Sequence, residues 1–159
     1  MLNSKFTYRL ANHDDLAQLN QLMHLLHHEH YIQAPSEFKT AQEIEKSKSI
    51  SLYLDSPECL VLVCEYQQSL FGFVTAQLCE FNSPISPSCL MGSVDELYVV
   101  NKYRQQGIAT RLLSDIQQRL TEWGATQIMV EVWDFNQSAL KLYKECGFVP
   151  HIHCLKKSI

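Results

Sequence analysis

The chain has 159 residues, 46% of them hydrophobic and 19% charged, and a formal net charge of −4. That length suits one domain with a proper core, and that balance excludes a disordered segment, a basic nucleic-acid surface and a polybasic membrane patch. No apolar run exceeds a strand's length, and the opening M-L-N-S-K-F leads into no signal-peptide core, so a single cytoplasmic domain spanning residues 1–159 is expected.

Six cysteines (Cys59, Cys64, Cys79, Cys89, Cys146 and Cys154) form no C-x-x-C pair, and several lie in apolar strand patterns. They are expected to be reduced and structural. Phe6 to Leu10 alternates as a first strand, Asn12 to Asp15 supplies helix caps, and Leu16, Leu19, Leu22 or Met23, and Leu26 mark an amphipathic helix. His24, His27, His28 and His30 crowd the end of that helix. No Asp, Glu or Cys elsewhere completes a ligand set for them, so no metal is expected.

Thr40 and Glu43 have capping-box spacing for a second helix reaching toward Leu54, ended by Ser56-Pro57. Cys59 to Tyr66 and Leu70 to Phe81 read as a hairpin about Gln67-Gln68-Ser69, and the proline- and serine-rich stretch Asn82 to Ser88 reads as a loop.

Ser93 to Leu113 is the most informative stretch. Val94, Leu97, Tyr98, Val99 and Val100 form a strand carrying Asp95 and Glu96; a polar break covers Asn101 to Gln106; and Gly107 opens a helix with Ile108, Leu112 and Ile116 on one face. The first amides of a helix lack partners within it and carry the positive end of its dipole, so this junction offers an anion site, with Arg104 beside it as a fork of donors suited to phosphate. The P-loop pattern fails because Ala109-Thr110-Arg111 stands where Lys-Ser/Thr is needed, and the dinucleotide fingerprint fails because only Gly107 is present. Downstream, Gln127 to Val132 reads as a strand, Asn136 caps a short helix ended by Gly147, and Val149 to Lys157 reads as a final strand.

The R-x-x-G-x-A of Arg104, Gly107 and Ala109, followed by N-x-x-A-x-x-x-Y-x-x-x-G-F at Asn136, Ala139, Tyr143, Gly147 and Phe148, resembles the two signatures of the GNAT N-acetyltransferase superfamily. Ala109 stands where that family most often has glycine. The resemblance covers nearly the whole chain and implies an α/β (α+β) fold: a mixed, mostly antiparallel sheet of about six to seven strands, splayed at its centre and flanked by about four helices.

The resemblance also implies acetyl-CoA as the acetyl donor. Leu97, Tyr98 and Val99 would pair with its pantetheine arm as an added strand would. The amides of Arg104, Gln105, Gln106, Gly107, Ile108, Ala109 and Thr110 would hold the pyrophosphate, with Asn136 and Ala139 near the arm and the Tyr143 hydroxyl near the thioester sulfur. Tyr143 is then the general acid. The base is Glu96, then Asp95, then Glu131; adjacent strand residues point to opposite faces, so only one of the acidic pair sees the pocket unless a bulge intervenes.

By position in such a fold, the end of the first helix lines the acceptor pocket, so His27, His28, Glu29 and Tyr31 join Asp95, Glu96 and Glu131 as substrate-binding candidates. The acidic pair and the W-D-F-N segment are similar to the diamine and polyamine branch of the family, from which the C-terminal tail departs. The expected partner is a small-molecule amine: a polyamine or diamine, or alternatively an aminoglycoside, an amino acid or a peptide amine. A non-catalytic acyl-CoA-binding module is the reading from a different class. A homodimer is expected, paired through the later strands.

Overall fold

A computed structural model describes residues 5–159; residues 1–4, the start of the segment read for a leader, lie outside them. Five strands, β1 (Thr7–Leu10), β2 (Cys59–Tyr66), β3 (Ser69–Phe81), β4 (Cys89–Val99) and β5 (Gln127–Val130), form one sheet in sequence order. All neighbours are antiparallel except β4 and β5, which run parallel. The β2–β3 hairpin turns through Gln67 and Gln68, both at positive φ (49° and 63°), which suits the right-handed twist of the strands they join.

Five helices flank the sheet. On one face lie α1 (Leu16–Gln33), α2 (Ala41–Glu45) and α3 (Ser51–Asp55). There Leu19, Leu22, Met23, Leu26 and Ile50 pack on Val61, Val63, Phe73 and Tyr98. On the other face lie α4 (Ile108–Glu122) and α5 (Gln137–Glu145). Ile108, Leu112, Leu113, Ile116 and Leu120 form the buried stripe of α4. Burying each contributes on the order of 1.5–3 kcal/mol. That helix lies so close that a side chain at Gly92 in β4 would put Cβ 2.7 Å from the Leu120 side chain. No helix among the described residues is long and apolar enough to cross a membrane.

The mixed, mostly antiparallel α/β fold is present, with five strands rather than six or seven. The tail 149–159 forms no strand, contrary to expectation. A strand needs a ladder partner, and neither the four-residue β5 nor the open edge of β4 pairs with it. Val149, Ile152, Leu155 and Ile159 are at least 76% exposed, and Lys156 reaches Glu37 at 2.5 Å.

The single helix expected from Thr40 toward Leu54 is two. Thr40 makes its capping box with Glu43, but the Ser47 hydroxyl donates back to the Ile44 carbonyl and the Ser51 amide donates to the Ser49 hydroxyl. Such local side-chain bonds compete with the helical ladder, and Lys46 to Ile50 leaves it.

Candidate active site

The site begins where the sheet parts. β5 pairs with β4 only from Met91 to Val94, and β5 stops at Val130, so Asp95 to Val99 has no strand beside it on that flank among the described residues. This is the splay expected beside Leu97, Tyr98 and Val99.

At the same point the β3–β4 register slips: Thr75 faces Glu96 but Ala76 faces Val94, leaving Asp95 as an extra, bulged residue. Val94, Leu97 and Val99 turn toward the α4 core, while Tyr98 turns toward the α1 core. Asp95 accepts hydrogen bonds from the Tyr53 hydroxyl (2.5 Å), the Gln77 amide (2.9 Å) and the Ser93 hydroxyl (2.6 Å). Glu96 accepts from the Thr75 hydroxyl and pairs with the Lys48 ammonium, and its own amide donates back to Thr75. Phe73, Thr75 and Gln77 alternate onto the α1 side of β3, so both carboxylates share that face.

Their surroundings differ. Asp95 is exposed, whereas the Glu96 side chain is 5% exposed and sits against Lys48 from the α2–α3 link. Burial, the bond to Asp95 and the neighbouring Glu96 charge push the Tyr53 phenol far above its ordinary value, which keeps it a donor to Asp95.

Past β4 the chain makes a 3-10 turn, Asn101–Tyr103, then enters α4 through Gln105 at φ 59° and Gly107 at φ 81°. A side chain at Gly107 would strain that left-handed backbone. The Arg111 amide is the first to bond within α4, to the Gly107 carbonyl, so the amides of Ile108, Ala109 and Thr110 have no helical partner. Together they line a backbone cradle of a kind that suits an anion.

Arg104 is more occupied than its place in the motif suggests. Its Nε donates to the Val99 carbonyl (2.7 Å), and Nη2 meets both Glu29 oxygens (2.9 and 2.8 Å). Its guanidinium lies 5.2 Å from the Tyr98 ring centroid, and the Tyr98 hydroxyl donates to Glu29 (3.0 Å). Glu29 therefore ties the last turns of α1, in which it lies, to the cradle.

Tyr143 faces the α4 core, 8% exposed and edge-on to Phe148 at 5.5 Å. Burial pushes its phenol up to about 12, with the nearby Cys146 thiol adding to the shift, so it holds its proton at neutral pH. Its hydroxyl makes no hydrogen bond within the described residues. Asn136 caps α5 through its side chain, accepting from the Ala139 amide, and Ala139 packs on the same core.

The other candidates lie apart. His28 is exposed and stacks on His24 at 6.3 Å, Tyr31 is half-buried at the end of α1, and Glu131 is exposed just past β5. No hydrogen bond or ion pair joins these three to Asp95 or Glu96 among the described residues. His24 pairs with Glu45 at 2.5 Å, and His30 stacks on Phe38, which with Trp133 and Phe135 forms an aromatic cluster. No cluster of three or more His, Cys, Asp or Glu suited to a metal occurs among the described residues.

Sequence reading missed Lys48, Thr75 and Tyr53. The alternation of β3 places Thr75 on the face of Phe73, a signal for Thr75 alone; Lys48 sits in a polar link with no pattern to mark it.

A parted mixed sheet with a backbone cradle at the parting is a shape that suits an extended, phosphate-bearing ligand. Residues 19–148 match the model of the acetyltransferase (GNAT) family, and the chain belongs to that family.

Among solved structures, an acetyltransferase from Vibrio fischeri is 40% identical, covering 80% of this chain and 96% of that one, at a TM-score of 0.65. An aminoglycoside N-acetyltransferase in complex with CoA shares the fold at 16% identity and a TM-score of 0.72, covering 97% of this chain and 94% of that one. Among curated proteins, the mouse thialysine N-epsilon-acetyltransferase is 33% identical over 54 residues, 34% of this chain and 32% of that protein. The Xenopus laevis N-alpha-acetyltransferase 30 is 38% identical over 58 residues, 36% of this chain and 21% of that one. The matched segments thus span a third or less of these curated relatives.

Proposed function

We propose that this protein transfers the acetyl group of acetyl-CoA directly to a primary amine of a small molecule. The observation that carries the reading is the bulge at Asp95, which sets two carboxylates on one face beside the open edge of β4. Family membership supplies the donor, and the parted strand and the cradle at Gly107 are the features that fit it.

An amine attacks a thioester carbonyl only after losing a proton, and the departing sulfur needs one. Asp95 and Glu96 take the first role, directly or through water, with Glu96 as the first choice and Glu131 behind both. Tyr143 takes the second from the opposite face of the sheet. Two carboxylates at the pocket, one of them shared with the Lys48 ammonium, favour a cationic acceptor, and a polyamine or diamine fits that field. The chain is read as a cytoplasmic homodimer with its exposed tail at the contact. Sedimentation that finds only monomer would remove the dimer without touching the chemistry.

Release of free CoA thiol from acetyl-CoA, one amine at a time, tests the reading: spermidine, putrescine, lysine, thialysine, an aminoglycoside and a short peptide. Saturable release with the polyamines supports the full reading. Release with another amine keeps the enzyme and changes the acceptor. No release from any of them, with acetyl-CoA still raising the melting temperature, would leave a binding module instead. On whichever amine works, Tyr143→Phe should lower turnover about a hundredfold with acetyl-CoA affinity little changed; an unaltered turnover number would remove Tyr143 as the acid.

A further inference from the structure

We propose that Lys48 is itself an acceptor of this active site, so that the enzyme acetylates its own Lys48 when acetyl-CoA is bound and no amine occupies the pocket. The inference rests on the transferase reading above and extends it to a modification site. Lys48 is a primary alkyl amine whose ammonium lies on Glu96, the carboxylate read as the first-choice base. An ammonium held on that carboxylate is what the reading above asks of a bound acceptor.

The contrast with other paired lysines is in burial. Lys141 meets Glu145 at 3.9 Å with side chains 78% and 64% exposed, and the Lys156–Glu37 pair is 67% and 33% exposed. Lys48, itself 43% exposed, reaches a carboxylate only 5% exposed, with the Thr75 hydroxyl on the carboxylate's other oxygen. The position of Lys48 favours reaction as well. It sits in the short non-helical link between α2 and α3 and lines a cavity of about 580 Å³ with Asn20, Gln21, His24, Glu45 and Ser49, so its chain can shift without unfolding a helix.

The step balances as follows. The Lys48 ammonium gives one proton to Glu96, and the neutral Nζ attacks the thioester carbonyl carbon. A C–N bond forms, the nitrogen sheds a second proton, and the C–S bond breaks. The leaving thiolate takes a proton from Tyr143, which regains through solvent one of the two protons shed by the nitrogen, so the net products are an amide at Lys48, free CoA thiol and one proton released to solvent. The acetylated side chain carries no charge, which removes the cation that competes with an incoming ammonium for Glu96. Self-acetylation would therefore clear the pocket.

The experiment is site-resolved mass spectrometry of the full chain during incubation with acetyl-CoA alone, and in parallel with acetyl phosphate as a purely chemical donor. With acetyl-CoA, Lys48 should be acetylated about tenfold faster than Lys141, at a rate independent of protein concentration, because the amine is already held at the site. With acetyl phosphate the order should reverse, since Lys141 is the more exposed amine. Glu96→Gln should abolish the preference for Lys48 while leaving slow modification of Lys141.

Equal rates at Lys48 and Lys141 with acetyl-CoA, or a Lys48 preference that survives in Glu96→Gln, would overturn the proposal. The amine panel on the same preparation separates the two readings. Turnover of an amine with Lys48 unmodified removes self-acetylation alone, whereas no turnover and no modification removes both.

Discussion

The two faces of the sheet use the same strands for opposite purposes. Under α4, the core is apolar: Val74, Val94, Leu112, Leu113 and Ile116 meet with no charged group among the buried residues. Under α1, the core is interrupted by Thr75, Glu96 and, beside them, the Lys48 ammonium. A buried carboxylate with its cation only partly covered is a weak stabilising device, because desolvation offsets most of the attraction. Its presence on only one face is the pattern the proposed site would leave in a packed core, and the single-residue bulge at Asp95 lies beside it.

The largest effect should come from the apolar face. Leu112 is fully buried in the α4 stripe, so Leu112→Ala leaves a cavity and should cost about 2–5 kcal/mol of stability by denaturant unfolding. Below the melting transition the KM for the amine should be unchanged. A KM shift comparable to that of a pocket variant would break the division between the faces.

Thr75→Val is the matched change on the other side. It keeps the shape, removes the hydroxyl that donates to Glu96 and takes the amide bond of Glu96, and should cost about 1–3 kcal/mol. Unlike Leu112→Ala, it should also lower kcat or raise the amine KM. Stability loss with unaltered kinetics would make Glu96 a structural residue and move the base to Asp95.

Much of this was legible in the sequence, for physical reasons that can be named. Apolar periodicity disclosed β2, β3, β4 and α4, because each buries a regular face. The turn into α4 at Gly107 was legible because a polar break, a glycine and a helical stripe in succession permit few local structures. The face of the acidic pair was not, since alternation assigns Asp95 and Glu96 to opposite sides and the bulge appears only when β3 is set against β4. Nor was the Lys48–Glu96 pair, which joins residues 48 apart in sequence through a link that a capping box had suggested was helical. The tail misled for the opposite reason: Val149, Ile152 and Leu155 carry apolar character yet pair with no strand edge.

Glu29 sharpens the comparison at the rim, where the α1 face meets the cradle. Its carboxylate holds Arg104 through two bonds and accepts from Tyr98. Glu29→Gln should weaken that hold and leave the guanidinium free for phosphate, so acetyl-CoA should bind about two- to fivefold tighter at low salt, with a steeper loss of affinity as salt rises. Calorimetry at two ionic strengths checks it. Unchanged or weaker binding would show that Arg104 serves to fix α1 and not to meet the cofactor.

The smallest effect concerns His27, whose Nε2 is buried without a partner among the described residues. Burial, then the Lys48 ammonium and His30, push its imidazole down to about 4 from 6.5, against the opposing pull of Glu45. Between those values the folded chain binds fewer protons than the unfolded chain, so its stability rises with pH across that window and is lost as the pH falls from about 6.5 toward about 4. His30, lowered mainly by burial, adds a contribution of the same sign. Melting temperatures taken from neutral pH downward should therefore fall less steeply in His27→Leu than in the unaltered chain, and the difference should be confined to the α1 face. Parallel curves for the two proteins would mean that His27 reaches solvent when charged, and that the polar interruption of this core ends at Lys48 and Glu96.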